Sequence, residues 1–290
     1  VKPNAACQRE EQVMSIAEDI PIRRMNFEFP DDMDLVFIED DPALSYLFVG
    51  SWMMLPYLEP FLIRTVQAAM PQIKDQDLKE EALRFCAQEG QHFRQHQKMN
   101  DVVKRVHPAG PRLAELEKEV EALFDDWSRN KPLKFCLAYG EGFESMTCAA
   151  ARTQIETGMF DYMKEPIRGL MYWHIMEEVE HRSVAHDVYH ACGGDYFHRM
   201  KLAMFFQRHY LGLCSRFQAA MIEADPETIA CYQTPELEAK RAARMKAYNK
   251  VFLPKLLATY MPWYNPSRVP LPGGYETART TYSNLALSIR

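Results

Sequence analysis

The chain has 290 residues, 47% hydrophobic and 26% charged, with a formal net charge of -6. This is enough for one large or two small domains with a sizeable core, and the acidic balance excludes bulk binding to nucleic acid phosphate. Glycine is sparse, at 12 residues, and few segments alternate apolar and polar residues with period two, which excludes an all-β chain.

In chain order, residues 1–42 read as a loop-rich lead-in, punctuated by Pro21, Pro30 and the acidic runs Asp31-Asp32 and Glu39-Asp40-Asp41. Asp41 as N-cap and Pro42 at the first helical position start a helix that runs to about Met70, with a kink expected at Pro56 or Pro60. Its stretch Tyr46–Ile63 is apolar enough to be confused with a membrane span, but Glu59 within it points to a buried helix instead. Pro71 ends this helix. The next runs from about Asp75 to His107 and is closed by Pro108-Ala109-Gly110-Pro111. Leu113, Leu116, Val120, Leu123, Phe124 and Trp127 then recur at helical spacing over residues 112–129. Helices follow from Leu133 to Thr157, with Gly158 as C-cap, and from Pro166 to His190, stopping at Gly193-Gly194. Residues 195–223 and 235–258 read as two more. The tail from Met261, rich in proline and holding Gly273-Gly274, is expected to be irregular.

The fold class is therefore all-α. Residues 43–191 form a four-helix bundle of antiparallel neighbours, residues 192–260 add helices packed on it, and residues 261–290 form the tail. The seven cysteines, Cys7, Cys86, Cys136, Cys148, Cys192, Cys214 and Cys231, are scattered and contain no CxxC pair. That is the pattern of reduced thiols. No basic segment followed by an apolar run stands at the N-terminus, so no signal peptide is expected and the expected location is cytoplasmic.

Two of the helices carry Glu-x-x-His: Glu89-Gly90-Gln91-His92 and Glu178-Val179-Glu180-His181. Residues three apart on a helix lie about 60° apart around it and one turn along it. Each pair therefore projects from one face and can converge on a metal. A carboxylate from each of two further helices completes a dinuclear site. Glu59 in its apolar stretch is one candidate, and Glu141 or Glu144 in Tyr139-Gly140-Glu141-Gly142-Phe143-Glu144 is the other. A partnerless buried carboxylate costs several kcal/mol, and a metal removes that cost. His174, four residues before Glu178, falls in the same arc and is a third histidine candidate. His96, one turn beyond His92, suits a hydrogen bond that positions a ligand. Glu177 and Glu180 fit ordinary solvated helix faces.

With these motifs in place, residues 43–191 resemble the ferritin-like di-iron carboxylate superfamily. The extra histidine is similar to the branch of di-iron N-oxygenases that oxidise arylamines. The whole chain, with Glu-Gly-Gln-His and Glu-Glu-Val-Glu-His, also resembles a bacterial family labelled predicted metal-dependent hydrolase. The resemblance implies Glu59, Glu89, His92, Glu144, His174, Glu178 and His181 as ligands. It favours Glu144 over Glu141, because the spacing of Glu144 from Glu178 is closer to the superfamily's hairpins. It also implies that Glu177, just before the second motif, orients a histidine.

Carboxylate-plus-imidazole sites with open positions suit two iron ions, with manganese, a mixed manganese–iron pair or zinc as alternatives. The expected function is O2-dependent oxidation or oxygenation of a small apolar or aromatic substrate, O2 being the co-substrate and an external donor supplying electrons. The alternatives are a metal-dependent hydrolase and a non-enzymatic iron-binding protein. Trp52, Met53, Met54, Phe143, Met146, Tyr172 and Trp173 are the expected apolar lining. Met200–Phe217 is expected to cover the bundle or to form a homodimer face rather than to touch a membrane.

Overall fold

The computed structural model describes residues 20–287; Cys7 and residues 1–19 of the lead-in lie outside them. Among the described residues the regular structure is helical, apart from one isolated antiparallel bridge between Ile38 and Met163. The helices are α1 (Pro42–Trp52), α2 (Leu55–Ala69), α3 (Gln76–Val106), α4 (Gly110–Asn130), α5 (Leu133–Thr157), α6 (Ile167–Glu180), α7 (Val184–Ala191), α8 (Tyr196–Ala224), α9 (Pro226–Cys231), α10 (Pro235–Thr259) and α11 (Tyr275–Leu285).

Local chemistry accounts for most of the boundaries. Asp41 Oδ1 accepts from the Leu44 N–H at 3.0 Å, and Pro42 opens α1, so one orphan donor of the first turn is satisfied. Asp75 caps α3 in the same way. Gly158 ends α5 in the left-handed region, φ 61, which glycine adopts without Cβ strain.

Two expected helices are each broken in two. The first is interrupted at Met53-Met54, and α2 restarts with Pro56 in its first turn. Proline lacks an N–H and is tolerated there because that donor would be unpaired anyway. The helix thus restarts ahead of Pro56, and Pro60 continues inside α2. The second break falls between Glu180 and Val184, without proline or glycine, and leaves His181 as the C-cap of α6. The irregular tail is corrected too: an 11-residue helix, α11, lies within it and packs on α6.

The bundle core is α2, α3, α5 and the α6–α7 pair. α2 packs on α3, α5 on both α6 and α7, and α3 on α7. A layer of α1, α8 and α10 closes one side, α1 lying on α8 and both α8 and α10 on α5. Close approach of α1 to α8 depends on Gly50, where a Cβ would stand 2.6 Å from the Cys214 carbonyl oxygen. By length and composition Pro42–Gln72 is apolar enough to cross a membrane, but 67% of its most apolar window is buried inside the protein. The described cysteines are all free thiols.

Candidate metal centre

Four helices aim titratable side chains at one point in the bundle. Glu59 comes from α2, Glu89, His92 and His96 from α3, Glu144 from α5, and His174 and Glu178 from α6, with His181 just beyond it. Each is buried, the most exposed being His174 at 4%. Their atoms form overlapping groups. His181 Nε2 lies 3.4 Å from Glu89, 3.3 Å from Glu144 and 3.5 Å from Glu178. His92 Nδ1 lies 3.7 Å from both Glu89 and Glu178, and Glu59 joins Glu89 and His92 in the second group. Glu89 and Glu178 face both histidines and so stand between the groups.

The atoms that converge are the ones left without hydrogen bonds: both carboxylate oxygens of Glu59, Glu89 and Glu144, Glu178 Oε2, His92 Nδ1 and His181 Nε2. Buried carboxylates without partners are very costly, and the chain would not sustain three of them, with a fourth only half satisfied, for packing alone. Oxygen and imidazole donors pointing inward at one place fit two metal ions, and among the described residues no lysine or arginine bonds the oxygens of Glu59, Glu89 or Glu144.

Electrostatics follow from this crowding. Burial, reinforced by Glu89, raises the Glu59 carboxyl well above its ordinary value. Burial and the charge on Glu178 push Glu144 up to about 8. Burial would also raise Glu178, but the neighbouring His181 and His174 outweigh it and hold that carboxyl down. Burial alone would lower His92 and His181. Glu177 and Glu89 reverse this for His92, and Glu178 and Glu144 do so for His181, so both imidazoles are raised. His96 and His174 are lowered, first by burial and then by neighbouring imidazoles. Without metal the cluster therefore favours the protonated forms of Glu59, Glu144, His92 and His181.

A second layer fixes the rings. The outward His92 nitrogen, Nε2, bonds Glu177 at 3.0 Å. Glu177 also accepts from the Trp173 indole and from Arg23, each at 3.0 Å. The outward His181 nitrogen, Nδ1, bonds the Gln88 oxygen at 2.9 Å, and Gln88 donates to Glu180 at 2.8 Å. Arg23 closes the network with two bonds to Glu180, at 2.7 and 2.8 Å, and the Tyr275 hydroxyl of α11 donates to Glu180 at 3.2 Å. Such partners set which ring nitrogen faces inward.

The expectation that Glu177 and Glu180 occupy solvated faces is thereby corrected, since both are buried around Arg23. Gln88 carried a usable signal in the sequence, since it precedes Glu89 as Glu177 precedes Glu178. Arg23 and Tyr275 carried none, because they arrive from the lead-in and the tail.

His174 Nε2 lies 2.8 Å from Glu178, and its Nδ1 shares a hydrogen bond of 2.5 Å with His96 Nε2. Glu144 joins the cluster, whereas Glu141 does not. Glu141 pairs with Arg199 at 3.0 Å, His186 at 3.1 Å and Ser145 at 2.9 Å. Burial would raise the Glu141 carboxyl, but the hydrogen bond from His186 and the charge on Arg199 outweigh it and lower it.

A cavity of about 150 Å³ reaches the cluster at His174. Of the expected apolar lining, Trp52, Phe143 and Met146 are in its wall. Met53 and Met54 are instead buried at the α1–α2 break, Trp173 packs edge-on to His92, and Tyr172 bonds Asp161.

A family model described as predicted metal-dependent hydrolase matches residues 21–269. No curated protein matches the chain, and no solved structure does. The match takes in the whole of the cluster and most of the described residues, and the chain belongs to that family.

Proposed function

We propose that this member of the predicted metal-dependent hydrolase family is a ferritin-like di-iron enzyme that uses O2 to oxidise or oxygenate a small apolar substrate. The observation that carries the reading is the donor set: four buried carboxylates and the inward nitrogens of His92 and His181, in two groups that share Glu89 and Glu178. Glu59 and His92, with His174 completing the set, would hold one iron. Glu144 and His181 would hold the other, with Glu89 and Glu178 between the two. Two ferrous ions at such a site supply electrons to O2.

The chain's own residues do the rest. Glu177 takes the outward N–H of His92 and leaves Nδ1 facing the cluster, while Gln88 holds His181 with Nε2 inward. Apolar side chains around the cavity keep bulk water from the open side near His174, where the substrate is presented. A third histidine makes the two metal environments unequal, and places the richer imidazole set on the side the substrate enters.

Hydrolysis is the second reading, favoured by the family's own description. The two differ in their need for O2. Anaerobic, Fe(II)-loaded protein is mixed with O2 while O2 uptake and absorbance are followed, with and without apolar and aromatic candidate substrates. The proposal expects stoichiometric O2 uptake, a transient absorbance change, and substrate loss that depends on O2. Turnover of an ester or amide at the same rate without O2 would favour the hydrolase.

A further inference from the structure

The cavity against His174 is the inner of two. The outer, of about 240 Å³, lies between α1, α5, α8 and α10, and shares Phe48, Ser51, Gln154 and Tyr210 with the inner one. These four side chains line both cavities and so mark the neck where the inner and outer chambers adjoin. Leu44, Leu47, Phe48 and Ser51 lie along one face of α1 and follow the passage over about 10 Å of helix. Leu211 on α8, 55% exposed, marks the outer end.

The chemistry of the wall is specific. Among the described residues, no Asp, Glu, Lys or Arg lines either chamber. A charged ligand would lose its hydration there without a counter-charge. Polar groups gather at the neck instead. The Ser51 hydroxyl already donates to the Phe48 carbonyl at 2.7 Å, and the Tyr210 hydroxyl sits beside Ser51. The Gln154 amide is left to offer a donor and an acceptor. The inner chamber matches in size an apolar cavity that takes a benzene ring.

From this we infer that the two chambers act as one passage and that the substrate is an uncharged, elongated, mostly apolar molecule. Its reacting end fills the inner chamber beside His174, a neutral hydrogen-bonding group sits at the neck against Gln154, and an apolar tail lies in the outer chamber. This rests on the metal-centre reading above for which end reacts, but the passage itself stands on the cavity walls alone.

The test uses Fe(II)-loaded protein under anaerobic conditions and bromine quenching of Trp52, which lines the inner chamber. The probes are N-butyl-4-bromobenzamide, N-butyl-4-bromobenzylammonium and 2-(4-bromophenyl)hexanoate, which put a bromophenyl ring in the inner chamber, a neutral, cationic or anionic group at the neck, and a butyl tail in the outer chamber. The amide is expected to quench saturably and to bind at least ~10-fold more tightly than either ion. The quenching is expected to vanish in Trp52→Phe. Ser51→Phe, which plugs the neck from α1, and Gln154→Phe, which plugs it from α5, are each expected to weaken binding by ~10-fold or more. Should Ser51→Phe fail to fold, Gln154→Phe decides. Absence of saturable quenching, equal affinity for either ion, or unchanged affinity in a folded neck variant overturns the inference. Bound iron is counted first. A count near zero refutes the metal centre, while the quenching still judges the passage, so the two failures are told apart.

Discussion

Gln88 and Glu177 occupy equivalent positions, each directly before the glutamate of a Glu-x-x-His motif, and each bonds the histidine of the opposite motif, Gln88 to His181 at 2.9 Å and Glu177 to His92 at 3.0 Å. The two motif helices are thereby tied by a reciprocal pair. One half is neutral and the other is an anion anchored by Arg23, so the two histidines are held alike in geometry but not in charge. Glu177→Gln, which makes the pair symmetric, is expected to keep the fold and to weaken metal binding or activity by about 10–100-fold. Isothermal titration with Fe(II) or Mn(II) reads this, and unchanged affinity and activity would remove Glu177 from the machinery.

Arg23 stands between two buried carboxylates, Glu177 and Glu180, with its own side chain 3% exposed. Removing one partner of such a network strands the others. Arg23→Ala is expected to destabilise the protein by about 3–5 kcal/mol, read by chemical denaturation, and to lower metal affinity as well, since Glu177 loses its anchor. A loss below about 1 kcal/mol would show that water replaces the guanidinium at little cost.

Glu59 behaves oppositely in the two states of the protein. Without metal it is a partnerless carboxyl inside α2. Glu59→Gln is expected to stabilise the metal-free protein by about 1–3 kcal/mol at neutral pH and to reduce the rise in Tm on adding metal. Destabilisation of the metal-free form, with metal binding intact, would make Glu59 a packing residue.

Acidity gives a further check. Between the ordinary value of 4.5 and about 8, Glu144 holds a proton in the native metal-free protein that the unfolded chain has lost. A folded pKa raised in this way stabilises at low pH, and the contribution is lost as pH rises through about 8. Glu59, His92 and His181, also raised, act in the same direction. His96 and His174, which are lowered, act the other way below pH 6.5, so the stability of the metal-free protein at this cluster is expected to fall most clearly from pH 6.5 to about 8, carried by the raised groups. Metal uptake is expected to release protons and to strengthen over the same interval. Proton release during metal titration in weak buffer measures this, and uptake independent of pH would contradict it.

His174 is placed to make the two halves of the proposed centre unequal. Its Nε2 faces Glu178 and its Nδ1 meets His96. His174→Ala is expected to keep the fold and most of the metal while changing the rate of O2 uptake by about tenfold or more. An unchanged rate, with and without substrate, would leave His174 as a wall of the cavity only.

Helix spacing and capping residues were enough to read the four core helices and the converging acids, because the periodicity that buries a face also fixes which side chains share it. Glu59 was legible because a carboxylate inside an apolar run is too costly to keep unless a cation meets it there. The break after Glu180 was not, since neither proline nor glycine marks it. The second layer was hidden for a different reason. Arg23 lies more than 150 positions before Glu177 and Glu180, and only the folded chain brings the lead-in against α6. Glu177 and Glu180 read as solvated for the same reason, because their buried cation was out of sight.

Two metals sharing Glu89 and Glu178 would be seen directly by anomalous diffraction from crystals grown with Fe(II) or Mn(II). Two peaks are expected about 3.5–4 Å apart, one beside His92 and Glu59 and the other beside His181 and Glu144, with Glu89 and Glu178 reaching both. A single peak, or peaks outside this cluster in a protein that has bound metal, would contradict it.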